Sequence, residues 1–143
     1  MKIIVLQGVP ASGKSTWARE FIKGKRDWII VSKDSFREGK GEYWVVEHEE
    51  YIKKLEKEAV RLALDCQLNV IIDGTNFNPD TLECWKDLSR LYNAELEIKK
   101  FTVSFEESLK RDTERGLQGG RAVGEKSIRY FFDKYNLYNS PTE

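Results

Sequence analysis

Near the amino end, Gly8-Val9-Pro10-Ala11-Ser12-Gly13-Lys14-Ser15 has the composition and spacing of a phosphate cradle. The form Gly-x-x-x-x-Gly-Lys-Ser is the Walker A pattern. Its glycines let successive backbone N–H groups point inward at phosphate oxygens. Its lysine neutralises charge on β- and γ-phosphates, and its hydroxyl is a hard oxygen donor suited to Mg²⁺. Gly8, Ala11, Ser12, Gly13, Lys14, Ser15 and Thr16 are therefore the expected ATP-binding residues, with Ser15 also a metal ligand. A glycine-rich surface turn beside a lysine would share part of this pattern. The flanks argue against that reading: residues 3–6 form an apolar β-branched run before it, and Lys14–Ile22 reads as a helix after it. The helix start adds its positive dipole end. The motif specifies a nucleoside triphosphate with Mg²⁺. It leaves open whether the acceptor is water, a metabolite or a polymer.

Further chemistry lies after the other apolar runs. Asp34, in Ser32-Lys33-Asp34-Ser35-Phe36-Arg37, follows the run at residues 28–31. Ligands of open parallel sheets sit beyond the carboxyl ends of the strands. A carboxylate there can take the proton of an acceptor hydroxyl and align it for in-line attack. Arg37 lies one helical turn on and could hold an acceptor phosphate bidentately, and Phe36 offers a surface for stacking a base. The competing reading makes Ser32 or Asp34 a helix cap and Arg37 its solvated partner. Asp73, in Asp73-Gly74-Thr75-Asn76, ends the run at residues 69–72, the Walker B arrangement that holds Mg²⁺ or its waters. Asp73 and Asn76 are also candidates for touching substrate, although a polar turn would use both residues to satisfy backbone groups. Arg111 and Arg115 share one helix face and lead into a segment with four glycines between residues 116 and 124, which also carries Arg121. A glycine-rich loop flanked by arginines suits a lid over the phosphates, with Arg111 and Arg115 toward the nucleotide. A solvated basic face is the alternative.

These residues need a scaffold of alternating strands and helices. Strands are expected at residues 3–6, 28–31, 69–72 and 96–103. A long helix begins near residue 45, with Ile52, Leu55, Ala59, Leu62, Ala63 and Cys66 on its inner face. Asn78-Pro79 starts another helix, and Leu82, Trp85, Leu88 and Tyr92 continue its inner face. Ser104 to Glu107 has capping-box spacing. Ile128, Phe131, Phe132 and Tyr135 mark a last helix, followed by a polar tail expected to fray after Asn136. The expected fold is α/β: one domain over residues 1–143, an approximately four-stranded parallel sheet sandwiched by helices, with a lid at about 111–124.

Composition restricts the function. Lysine plus arginine equal aspartate plus glutamate at 24 each, so no global basic field exists to coat a long duplex. Such a balance still permits a grip on a few nucleotides. No apolar run is long enough for a membrane helix, and no cleavable leader is expected, which makes the cytoplasm the default compartment. Cys66 and Cys84 read as reduced thiols in or near the core, and His48 as a surface histidine among glutamates.

The string from Gly8 through Thr16, Trp17 and on to Ile22 resembles the start of the bacteriophage polynucleotide kinase-phosphatase family. The resemblance continues through Lys33-Asp34-Ser35-Phe36-Arg37 and Asp73-Gly74-Thr75-Asn76-Phe77-Asn78-Pro79, with one added glycine. It ends at Lys110-Arg111-Asp112-Thr113-Glu114-Arg115-Gly116. It implies a P-loop 5′-hydroxyl polynucleotide kinase that moves the ATP γ-phosphate onto the 5′-OH end of DNA or RNA. In that light Lys14 and Ser15 match the donor site, Asp34 the general base, Arg37 the clamp on the acceptor's 3′-side phosphate, and Arg115 the lid arginine. Arg111 and Asp73 also match functional positions. A phosphatase domain is not in this sequence, and Gly124 stands where the family often has proline. A small-molecule kinase and a non-catalytic nucleotide-binding module are the alternatives, because fold alone does not separate them.

Overall fold

The structure is a computed structural model and describes residues 1–139. Four strands form one all-parallel sheet in the order β2-β3-β1-β4. They are β1 (Lys2–Gln7), β2 (Trp28–Ser32), β3 (Asn69–Asp73) and β4 (Glu95–Lys100). Six helices connect and follow them: α1 (Lys14–Ile22), α2 (Lys33–Glu38), α3 (Glu49–Asp65), α4 (Pro79–Leu91), α5 (Phe105–Leu117) and α6 (Glu125–Tyr135). The order of elements follows from short continuous apolar runs alternating with period-3.6 segments.

Side-chain alternation along β1 assigns its residues to two faces. Ile3 and Val5, with Val31, Val70 and Ile72, pack under α3 and α4 against Val60, Leu64, Trp85 and Leu88. Ile4 and Leu6, with Ile71, pack under α1 against Ala18, flanked by Trp17, Phe21 and Trp28. Each fully buried aliphatic side chain contributes about 1.5–3 kcal/mol, so the double covering of the sheet is the main source of its order. A third cluster, Val9, Val103, Ile128 and Phe132, ties α6 and the segment after β4 to the phosphate loop.

Register aligns the functional ends of the strands. Ile3, Ile4 and Val5 lie opposite Val70, Ile71 and Ile72, while Ser32 lies opposite Asp73 and Gln7 opposite Lys100. The carboxyl ends of all four strands therefore emerge at one edge. Beyond it Gly8 N–H donates to Thr75 O at 3.2 Å, binding the phosphate loop to the turn after β3.

Several expectations change in detail. β4 stops at Lys100 rather than at residue 103, and Val103 turns into the third cluster. A 3₁₀ turn at Val46–His48 precedes α3, which starts at Glu49. The buried stripe of α3 is Ile52, Glu56, Val60, Ala63 and Leu64; Leu62 is 59% exposed. Two adjacent apolar stripes compete in this helix, and the sheet takes the one that includes Glu56. Cys66, beyond the helix, is exposed and Cys84 only partly covered, so neither thiol is in the core. Asn78 caps α4 by accepting from Asp80 N–H at 2.9 Å, and Ser104 caps α5 by accepting from Glu107 N–H at 3.1 Å. After Asn136 the chain still packs: Leu137 joins the third cluster and Tyr138 O–H donates to Asp133. The expected fraying beyond residue 139 lies outside the described residues.

Candidate active site

The phosphate loop connects β1 to α1. Ala11 (φ 60) and Gly13 (φ 97) both adopt left-handed backbone, which helps turn successive N–H groups toward a common center. Gly8 has a packing role, since a Cβ there would meet Ser12 Oγ at 2.7 Å and Phe101 at 3.0 Å. The first turn of α1 offers N–H groups with no partner inside the helix. Lys14 is buried, and its ammonium donates to Val9 O at 2.7 Å and Ser12 Oγ at 3.3 Å. Burial pushes the Lys14 ammonium down to about 8, against the pull of Asp73 and Asp34; the nearby Arg115 charge lowers it further. A polyphosphate in the loop would supply the missing negative charge. Ser15 and Thr16 are exposed at the mouth.

Ser15 O–H donates to Asp73 Oδ2 at 2.6 Å. One hydroxyl and one carboxylate thus converge at the carboxyl edge of β3, a pair of hard oxygens of the kind Mg²⁺ uses alongside phosphate and water. Among the described residues no group of three or more His, Cys, Asp or Glu side chains is placed to hold a metal ion by itself.

Asn76 is engaged within the fold. It is buried in left-handed backbone (φ 50), donates through Nδ2 to Leu6 O at 2.7 Å and accepts from Trp85 Nε1 at 3.3 Å. Its carbonyl accepts from Gln7 Nε2 at 3.1 Å. With both amide ends used, Asn76 braces β1, β3 and α4, which is the polar-turn reading of this residue.

On the other side of the mouth, Ser32 caps α2 by accepting from Ser35 N–H at 3.4 Å. That leaves Asp34 free of capping. Asp34 Oδ1 accepts from Arg37 Nη1 at 2.7 Å and from Tyr43 O–H at 2.6 Å. Burial would raise the Asp34 carboxyl, but Tyr43, Arg37 and the Lys14 charge outweigh it and hold the group below its ordinary value. The side chain is 66% exposed, so these polar contacts rather than desolvation decide its charge state. Arg37 also donates through Nε to Glu49 Oε2 at 3.0 Å and through Nη2 to Glu49 Oε1. It is held as a fixed cation, because these bonds outweigh the cost of its burial. Glu49, at the first turn of α3, is in turn kept below its usual range by Arg37. Phe36 is partly buried and packs on the core, so its ring anchors α2 rather than presenting a free stacking face. Trp44 is 54% exposed, and Arg37 lies 5.3 Å from its ring.

The arginines expected to form a lid diverge. Arg115 donates to Asp112 Oδ1 at 2.9 Å, and its charge reaches Lys14. Arg111 turns to Glu107 at 3.1 Å. Arg121 stacks on Tyr43, its guanidinium carbon 3.3 Å from the ring center. Asp112 is buried and also accepts from Val123 and Gly124 N–H at 2.9 Å each, stapling the far end of the glycine-rich loop to α5. Ser108 O–H donates to Pro10 O at 2.8 Å and fastens α5 to the phosphate loop.

Sequence reading missed Tyr43, Glu49, Glu56, Ser108 and Asp112. Asp112 lies inside the Lys110 to Gly116 motif, and its spacing to Arg115 was a usable signal. Tyr43 lies in a stretch without periodicity and Glu49 at the very start of α3, where only contact in space reveals their partners. Glu56 hides in an apolar stripe; its Oε2 has no hydrogen-bond partner, and burial pushes its carboxyl up despite Lys33 and Arg37.

A parallel sheet ending on a phosphate loop, with a carboxylate after β2 and arginines on a helix leading to a glycine-rich loop, defines a nucleotide-binding P-loop domain of kinase type. Residues 3–137 match the AAA domain family, and the chain belongs to it. It is similar to the L-seryl-tRNA(Sec) kinase of Methanococcus maripaludis, with 26% identity over 138 residues, 94% of this chain and 52% of that protein. It is also similar to a bifunctional polynucleotide kinase/RNA ligase proposed for the Autographa californica nuclear polyhedrosis virus. There the identity is 27% over 129 residues, 80% of this chain and 18% of that protein. Among solved structures, a chain of the Pnkp1/Rnl/Hen1 RNA repair complex superposes with a TM-score of 0.83 at 32% identity, over 96% of this chain and 44% of that one. The sequence therefore spans about half or less of the length of each of these relatives, and its resemblance to polynucleotide kinases holds in both sequence and fold.

Proposed function

We propose that this domain transfers the γ-phosphate of ATP to the 5′-hydroxyl end of a polynucleotide. The observation that carries the reading is the placement of Asp34 and Arg37 together, hydrogen-bonded at 2.7 Å, across the mouth of the phosphate loop from Lys14. Lys14, the loop amides and Arg115 bind the β- and γ-phosphates. Ser15 and Asp73 would hold Mg²⁺, which would supply charge neutralisation at the phosphates. Asp34 accepts the proton of the incoming hydroxyl. Arg37, fixed by Glu49, presents its remaining N–H groups to the phosphate on the 3′ side of the acceptor nucleotide. Trp44, beside Arg37, is the exposed ring available to a base. The residues from Arg111 through the loop to Gly124 act as the lid. The similarity to a chain of an RNA repair complex and to a viral polynucleotide kinase/RNA ligase supports a polynucleotide end as acceptor.

Transfer of labelled γ-phosphate from ATP with Mg²⁺ tests the proposal. The acceptors are a short 5′-OH oligonucleotide, its 5′-phosphorylated twin, seryl-tRNA and a set of metabolites. Label on the 5′-OH oligonucleotide alone is expected. Label on seryl-tRNA, the acceptor in the name of the methanococcal relative, or on a metabolite would replace this reading.

A further inference from the structure

We propose that Tyr43 is a positioning residue for Asp34, and that Arg121 over the face of its ring makes the lid part of the same arrangement. The inference rests on the reading of Asp34 as the proton acceptor. Asp34 sits on the first turn of a short helix with its side chain open to solvent, where torsional freedom would leave it several rotamers. Two donors remove that freedom. Tyr43 O–H at 2.6 Å and Arg37 Nη1 at 2.7 Å both bind the same oxygen, Oδ1. An oxygen holding two strong donors is a poor proton acceptor, so the pair assigns the proton to Oδ2. In the transfer step the acceptor oxygen bonds to the γ-phosphorus, the bond from that phosphorus to the β–γ bridging oxygen breaks, ADP leaves, and the hydroxyl proton passes to Oδ2.

Tyr43 belongs to the connection between α2 and α3, so its bond to Asp34 braces two separate segments. Its phenol is held protonated: burial and the Asp34 carboxylate push it up to about 12. The group remains a donor throughout the neutral range. Arg121, from the loop between α5 and α6, lies over the face of the ring at a distance where a cation and an aromatic face attract. That loop is fixed at its start by Gly120 N–H donating to Arg115 O at 2.8 Å and at its end by Asp112. The groups acting on Asp34 are thus Arg37 from its own helix, Tyr43 from the following connection and Lys14 from the phosphate loop; Arg121 and Arg37 act on Tyr43. A change in the position of the loop over the phosphates is felt by the residue that orients the base.

The test uses Tyr43→Phe in the full chain, after its thermal unfolding curve is shown to match wild type. Turnover on a 5′-OH oligonucleotide should fall about tenfold, the effect of one well-placed hydrogen bond, while KM for ATP stays within about twofold. The carbon-13 titration of the Asp34 carboxyl should move to higher pH, because a bond to the charged form is lost. Arg121→Ala should lower turnover in the same direction by a smaller factor. An unchanged carboxyl titration with unchanged turnover in Tyr43→Phe overturns the inference. So does a loss in Arg121→Ala that Tyr43→Phe does not share, which would mean that Arg121 acts on the phosphates directly. Full activity in Asp34→Asn would instead remove the underlying reading, whereas an inactive Asp34→Asn beside a normal Tyr43→Phe removes only this inference.

Discussion

The two sides of the mouth are built differently. The donor side is backbone geometry: left-handed Ala11 and Gly13, the start of α1 and a buried Lys14 bonded to Val9 O, all mounted on the central strand. The acceptor side is a chain of side-chain bonds on a short helix: Arg121 on Tyr43, Tyr43 on Asp34, Asp34 on Arg37, and Arg37 on Glu49. A cradle made of main chain is fixed by the fold and serves any nucleoside triphosphate. A network of side chains is fixed only by its members and can be tuned to one acceptor. On the proposed reading, donor chemistry comes with the sheet, while acceptor choice resides in residues of α2, α3 and their connection.

Variants can test that division. Lys14→Ala should abolish measurable transfer, lowering it by about 10³-fold or more, because the charge it places at the phosphates is lost; it should weaken ATP binding as well. Arg37→Ala should raise KM for a 5′-OH oligonucleotide by about 10- to 100-fold, in line with loss of a bidentate charged contact, and leave ATP affinity unchanged. If ATP affinity falls in parallel, the two sides are not separable.

Asp112→Ala probes the join between them. It leaves Val123 N–H, Gly124 N–H and Arg115 without their shared acceptor and should cost about 1–3 kcal/mol of stability. Turnover should fall more than ATP affinity, as read by parallel melting and kinetic measurements. The smallest effect belongs to Glu56. Its folded carboxyl titrates above its unfolded value, so the folded state holds its proton longer and stability falls as pH rises from about 4.5 through the raised folded value. Glu56→Gln should remove that decline and raise the melting temperature at neutral pH without changing donor binding. A variant with the wild-type pH dependence would show that the buried carboxylate is compensated in solution.

The sequence exposed the donor side more fully than the acceptor side, for a physical reason. A phosphate cradle needs glycines and a lysine at fixed offsets between a strand and a helix, so Gly8 to Ser15 is readable as a string. The parallel sheet is readable from residues 3–6 and 69–72, because strands buried on both faces leave continuous β-branched runs. Asp34 and Arg37 were legible through their one-turn spacing after β2. Tyr43 and Glu49 were not, since their partners lie 9 and 12 residues away and no local period joins them. Asn76 stayed open between two readings, because a polar residue after a strand looks alike whether it faces a ligand or ties strand ends together. Only the bonds to Leu6 O and Trp85 distinguish the two. Cys66 and Leu62 were misplaced because α3 carries two apolar stripes and the sheet accepts one.

The most direct test of the account compares wild type with Asp34→Asn in single-turnover transfer from ATP to a 5′-OH oligonucleotide, with ATP affinity measured on the same preparations. The account predicts a rate about 10²- to 10⁴-fold lower, the range of a lost general base, with ATP affinity within about twofold because Asp34 lies outside the cradle. A rate near wild type, or a loss of ATP affinity as large as the loss of rate, would contradict it.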